Sequence, residues 1–167
     1  MNTVEGRQLK EILIKNWMTH DAMWFYHSVQ SFGMEKTNVV NKAAVRSMAG
    51  VEIKRLRKAL GVERIETFGQ FREFYSAVME VVLGDFMKSS FSFPGHNRVH
   101  GEWKSCFAYD GLTKYGMIDQ YQCGIMDRVE GWFDALGIPY TVTPKVDGCM
   151  MHTEGRCYRD YLFEFPE

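Results

Sequence analysis

Apolar residues along the first half of the chain recur at helical spacing, and along much of the second half they alternate. Gly6 to Trp17 places Leu9, Ile12, Leu13 and Trp17 on one side of a helix. A second helix is expected from His20 to Phe32, with Thr19 as its cap, Asp21 in its first turn and Gly33 as its stop. Met23, Trp24, Phe25, Tyr26, Val29 and Phe32 cover most of its circumference, which predicts burial. A long helix follows from about Lys36 to Leu60, ended by Gly61, with Lys54, Arg55, Arg57 and Lys58 at the negative end of its dipole. Thr67-Phe-Gly-Gln70 has the form of a capping box, and Phe71, Phe74, Tyr75, Val78, Met79 and Val82 give the next helix a strong apolar stripe.

From Asp85 the period becomes two. Ser89, Phe91 and Phe93 share one face of a first strand, and Pro94-Gly95 breaks it. Val99, Trp103, Phe107 and Tyr109 face one way along a second strand, with His100, Glu102, Lys104 and Cys106 facing the other. Asp110-Gly111 reads as a turn, and a helix from about Tyr115 to Leu136 stops at Gly137. The tail reads as a β-hairpin turning at Glu154-Gly155, with Tyr161, Phe163 and Phe165 on one face. A two-residue loop there pairs His152 with Cys157 and turns Cys149 away. A three- or five-residue loop centred on Thr153 sets Cys149 opposite Cys157 instead, and a bulge at Gly148 would also bring it round. Segregated helices with short antiparallel strands predict an α+β fold: N-terminal helices on a small antiparallel sheet with a C-terminal β-hairpin. The division is a helical region over 1–84 and a sheet region over 85–167, joined in one compact domain.

The chain has 167 residues, enough to bury a core without staples, and is 46% hydrophobic and 14% aromatic, which argues against disorder. Its net charge of −1, without a basic stripe, speaks against nucleic acid as a partner. No apolar run approaches the roughly 20 residues of a spanning helix, and charges recur every few residues from the N-terminus, so neither a membrane nor a signal peptide is expected. A cytoplasmic location follows, where the four cysteines would be thiols or ligands rather than disulfides.

Three groups could carry chemistry. His20, Asp21 and His27 surround Trp24 in THDAMWFYH, with the two histidines on one helix face two turns apart. Imidazole, carboxylate and indole together suit acid–base work on a small molecule; the plainer alternative is a capped helix with core histidines. His96, His100 and Glu102, with Trp103 beside them, form a second group that could contact a ligand or a divalent metal, or be no more than a loop and an exposed strand face. Cys123, Cys149, His152 and Cys157 form the third. Thiolate and imidazole are donors that zinc or iron accepts, although the spacing alone fits buried thiols equally well.

Two resemblances extend this reading. The segment CGIMDRVEGWFDALG from Cys123 to Gly137, then Cys149, Glu-Gly-Arg-Cys157 and Leu-Phe-Glu-Phe165, resembles the small-molecule-binding domain of the 4-vinyl-reductase type, distantly akin to haem-NO-binding domains. That likeness implies an α+β ligand-binding domain with Cys123, Cys149 and Cys157 at positions suspected of holding metal. Its turn is usually Gly-Asp, where this chain has Glu-Gly-Arg. The N-terminal half, through WMTHDAMWFYH, FGMEK and Asn38 to Leu60, is similar to uncharacterised proteins of which some are labelled L-2-amino-thiazoline-4-carboxylate hydrolase. The aromatic excess, with a few polar groups in aromatic surroundings, leads to the expectation of a domain that binds a small apolar or aromatic ligand between the sheet and the helices, its pocket lined or gated by His20, Trp24, His27 and Trp103. The alternative is a hydrolase of a small cyclic amide or amidine, metal-assisted, with His20 or His27 as base. A structural module that pairs as a homodimer is the third expectation.

Overall fold

The computed structural model describes residues 3–165, and these form an α+β fold with a four-stranded antiparallel sheet. The helices are α1 (Gly6–Phe32), α2 (Met34–Ala59), α3 (Phe68–Val82), α4 (Phe107–Lys114), α5 (Gly124–Leu136) and α6 (Met150–Glu154). The strands are β1 (Ser89–Ser92), β2 (Arg98–Trp103), β3 (Tyr140–Thr143) and β4 (Cys157–Phe163), in the spatial order β1-β2-β4-β3.

Five expectations change. The two N-terminal helices are one, because no glycine or proline interrupts Gly6 to Phe32, and continuing the ladder satisfies more backbone groups than stopping at Thr19. α1 is also more exposed than its apolar circumference predicts: Met18 is its one buried residue among those described. The second strand ends at Trp103, and Phe107 to Tyr109 opens α4; a short apolar run fits either element, and Asp110-Gly111 lies inside that helix. The helix expected from Tyr115 is α5, which starts only at Gly124, after a 3₁₀ turn at Ile118–Gln120.

The fifth change is in the tail. Glu154-Gly155 is not a hairpin turn. Met150–Glu154 is helical, and Gly155, at φ 69°, is the left-handed residue that stops it. A left-handed glycine serves a hairpin and a helix end equally well. The helix-forming Met150, Met151 and Glu154 decide for the second. β3 and β4 do pair antiparallel, with Val142 opposite Tyr161, across a long connection that contains α6.

The capping box forms as read: the Thr67 side chain accepts from Gln70 N–H, and the Gln70 side chain accepts from Thr67 N–H. α3 and α5 then lie on the inner face of the sheet. Phe71 and Phe133 sit 4.6 and 4.9 Å from the Phe163 ring, and Tyr161 lies 5.2 Å from Phe133. This one aromatic cluster draws on both the helical half and the sheet half.

α2 and α5 meet at a glycine seam. A Cβ on Gly131 would stand 2.9 Å from Ala49 Cβ, and one on Gly124 would stand 2.7 Å from the Asn41 amide. The flank of that seam is electrostatic, with Arg46 facing Asp127, Glu130 and Asp134. Among the described residues no helix is long and apolar enough to cross a membrane.

Candidate functional site

A cavity of about 370 Å³ lies between α1, α2, the end of α3, α4 and α5. α1 contributes Trp17, Met18, Asp21, Met23 and Phe25, and α2 contributes Asn41, Ala44, Val45 and Met48. Met79, Val82 and Leu83 come from α3, and Val129 and Trp132 from α5. Trp103 closes the sheet side, with Cys106 next to it. The wall is mostly apolar with a few fixed polar groups, the composition of a small-molecule pocket.

One of those polar groups is held in an unusual way. Arg128 Nε donates to Glu52 Oε2 at 2.9 Å, a second guanidinium nitrogen donates to Oε1, and Trp132 Nε1 donates to Oε2 at 2.8 Å. The same guanidinium lies 4.8 Å from the Trp17 ring centre and 5.3 Å from that of Trp132. It is therefore clamped by a carboxylate and lies within cation–π reach of two indoles. Asp21 stands at the cavity rim, partly in water. Removal of its carboxyl from solvent by the neighbouring side chains raises its pKa, and the His20 and Arg128 charges pull the other way.

The first sequence group is divided by this geometry. Asp21 lines the cavity, whereas His20, Trp24 and His27 do not, and Trp24 is 65% exposed. A helical period that covers the whole circumference cannot tell which arc faces the core.

The second group is divided by the pleat. Trp103 faces inward, as Val99 does. His100 and Glu102 lie on the other face, where His100 Nδ1 meets Asp160 Oδ1 at 2.8 Å across the β2–β4 pair and the His100 ring stacks on Tyr158. His96 sits in the loop before β2, its ring 6.3 Å from Phe68.

The third group gathers in part. Cys123 and Cys149 precede α5 and α6, and Cys157 opens β4, where it pairs with Trp103. His152 turns instead to Asp119 Oδ1, 2.9 Å away. Its place is taken by Cys106, the residue before α4. All six pairings of the four thiols are close enough to act on one another electrostatically.

Burial pushes Cys106 up to about 11 and Cys157 to about 12, and it also raises Cys123. Working against it are the N–H groups that open two helices. Those of Ile125 and Met126 point toward Cys123, and those of Ala108 and Tyr109 toward Cys106, without closing formed capping bonds. Arg159 also lowers Cys123 and Cys157. It is 3% exposed, bonds to the Tyr158 carbonyl and the Met150 sulfur, and forms no ion pair with a carboxylate among the described residues. Among the described residues, no group of three or more His, Cys, Asp or Glu side chains is placed so that it could hold a metal ion.

Sequence reasoning passed over three residues here. Arg159 was legible, since the alternation of Tyr161 and Phe163 extends back to it. Cys106 was hidden by reading the strand through Tyr109. Arg128 needs the tertiary contact with Glu52, 76 positions away, to be noticed at all.

The fold and its cavity define an α+β domain with an apolar pocket closed by a long N-terminal helix. The chain belongs to DUF6125, a family of unknown function, which matches residues 4–131. No curated protein and no solved structure matches it.

Proposed function

We propose that this domain binds a small, largely apolar molecule in the cavity under α1, in the cytoplasm. The observation that carries this is the 370 Å³ space itself, walled by apolar and aromatic side chains with Asp21 and a clamped Arg128 among its few polar groups. The resemblance of the C-terminal half to a small-molecule-binding domain supports the same reading. A hydrolytic role would ask for His20 or His27 as base at the ligand, and of that group Asp21 is the member that lines the cavity. Thermal-shift screening against small aromatic and aliphatic compounds tests binding, alongside Ala44→Phe, which fills the space. Hits that stabilise the natural chain and lose their effect in Ala44→Phe are expected. The absence of hits, or hits that ignore the filled cavity, overturns the reading.

A second reading attaches to the thiols. Cys106, Cys123, Cys149 and Cys157 would hold zinc or iron as thiolates, with Cys106 in the place expected for His152. The support is the company they keep: two helix N-termini and an Arg159 that lacks a carboxylate all favour negative sulfur. The donor set, four thiols, is one that zinc accepts. Metal analysis of protein purified without chelator should find about one ion per chain. Cys106→Ser should lower that content, whereas His152→Ala should leave it unchanged. A metal-free natural chain that takes up no added zinc, or equal content in all three proteins, would reject the site.

A further inference from the structure

The cavity is mixed in shape but one-sided in charge. Asp21 and Asp110 both line it, and neither forms an ion pair among the described residues. Arg128 is the one basic side chain in the wall among the described residues, and two of its N–H groups already go to Glu52. Counting Glu52 with its partner, the cavity and its immediate backing carry three carboxylates and one cation, a formal excess of two negative charges. His20, adjacent to Asp21, is the other titratable group that acts on it.

The aromatic content points the same way. Three of the four tryptophans, Trp17, Trp103 and Trp132, line the space, together with Phe25 and Tyr26. Ring faces attract cations through their quadrupole, and Arg128 already exploits Trp17 and Trp132 from inside the protein. A carboxylate whose pKa is raised by removal from water gains from a positive partner, because pairing offsets the desolvation it has already undergone. An anionic ligand would meet the opposite: two carboxylates outside any ion pair among the described residues, against one guanidinium that already gives two of its N–H groups to Glu52.

The geometry points to an organic cation as the ligand class, an amine or amidinium on an apolar or aromatic body. The cationic head would sit by Asp21 and the body among Trp17, Trp103 and Met48. This rests on the reading that the cavity binds a small molecule, and adds its charge.

Three probes on one indole scaffold separate the two claims: tryptamine, 3-methylindole and indole-3-acetate, titrated by calorimetry at low salt. Tryptamine should bind about tenfold more tightly than indole-3-acetate, and more tightly than 3-methylindole, as expected for one charge contact in a partly desolvated site. Asp21→Asn, checked for fold by circular dichroism, should erase most of that preference, bringing tryptamine close to indole-3-acetate. If the three bind equally, or the anion binds best, the charge inference falls and the cavity reading survives. If the preference persists in an Asp21→Asn, Asp110→Asn double variant, the carboxylates are not its source and the inference falls. If none of the three binds, both fall.

Discussion

Arg128 on α5 reaches Glu52 on α2 through two guanidinium nitrogens, and the Trp132 indole N–H meets the same carboxylate at 2.8 Å. Both charged side chains are largely buried. Glu52→Ala would leave a guanidinium and an indole N–H without their acceptor. The expected cost is roughly 3 kcal/mol, since removing one partner of a buried pair strands the other. Glu52→Gln, which keeps an acceptor, should cost less. Urea denaturation of both variants checks this; equal costs would mean that the charge plays no part.

The helix seam makes a prediction in which two glycines give opposite signs. Gly131→Ala places a methyl 2.9 Å from Ala49 Cβ and 3.3 Å from the Arg46 carbonyl, so α2 and α5 must part. Overpacking of this kind costs about 1–3 kcal/mol, which exceeds the helix-propensity gain of about 1 kcal/mol. Gly50→Ala meets Ala135 Cβ at 3.9 Å, ordinary contact, and keeps that gain. The first variant should melt below the natural protein and the second above it.

In the metal-free protein the thiols predict how stability responds to alkali. Cys106 is raised from 9.0 to about 11 and Cys157 from 9.0 to about 12, chiefly by burial. The folded state therefore holds protons that the unfolded state has released. The contribution of these groups is fully present below pH 9 and is lost progressively from 9 to about 11 for Cys106 and to about 12 for Cys157. Cys106→Ala should flatten the lower part of that decline in denaturation midpoints measured from pH 8 to 11. An unchanged slope would place the alkaline loss elsewhere, Tyr140 being a candidate at about 12.

Asp21 should behave as a site residue, costing stability where it serves binding. Removal of its carboxyl from water raises its pKa in the folded state, so its contribution is present below the ordinary carboxylate range and lost as pH rises through the folded value. Asp21→Asn should accordingly raise the melting temperature at pH 7, and the gain should vanish near pH 3. A variant less stable than the natural chain at pH 7 would show that contacts to His20 and Arg128 outweigh the desolvation.

The α+β class, the strongly periodic helix α3 with its capping box, and the alternation of β2 and β4 were determined by the chain alone. Each rests on a local rule: a side chain satisfying a nearby backbone group, or a period that leaves one face dry. Where two local outcomes cost about the same, only tertiary structure decided. Gly155 could end a helix or turn a hairpin, and Phe107 to Tyr109 could extend a strand or begin a helix. α1 shows the same limit: an arc apolar all round carries no sign of which side will be covered, so Asp21 meets the cavity and Trp24 meets water. The meeting of Cys106 with Cys123, and of Arg128 with Glu52, depends on helices packing across long separations, which no local period encodes.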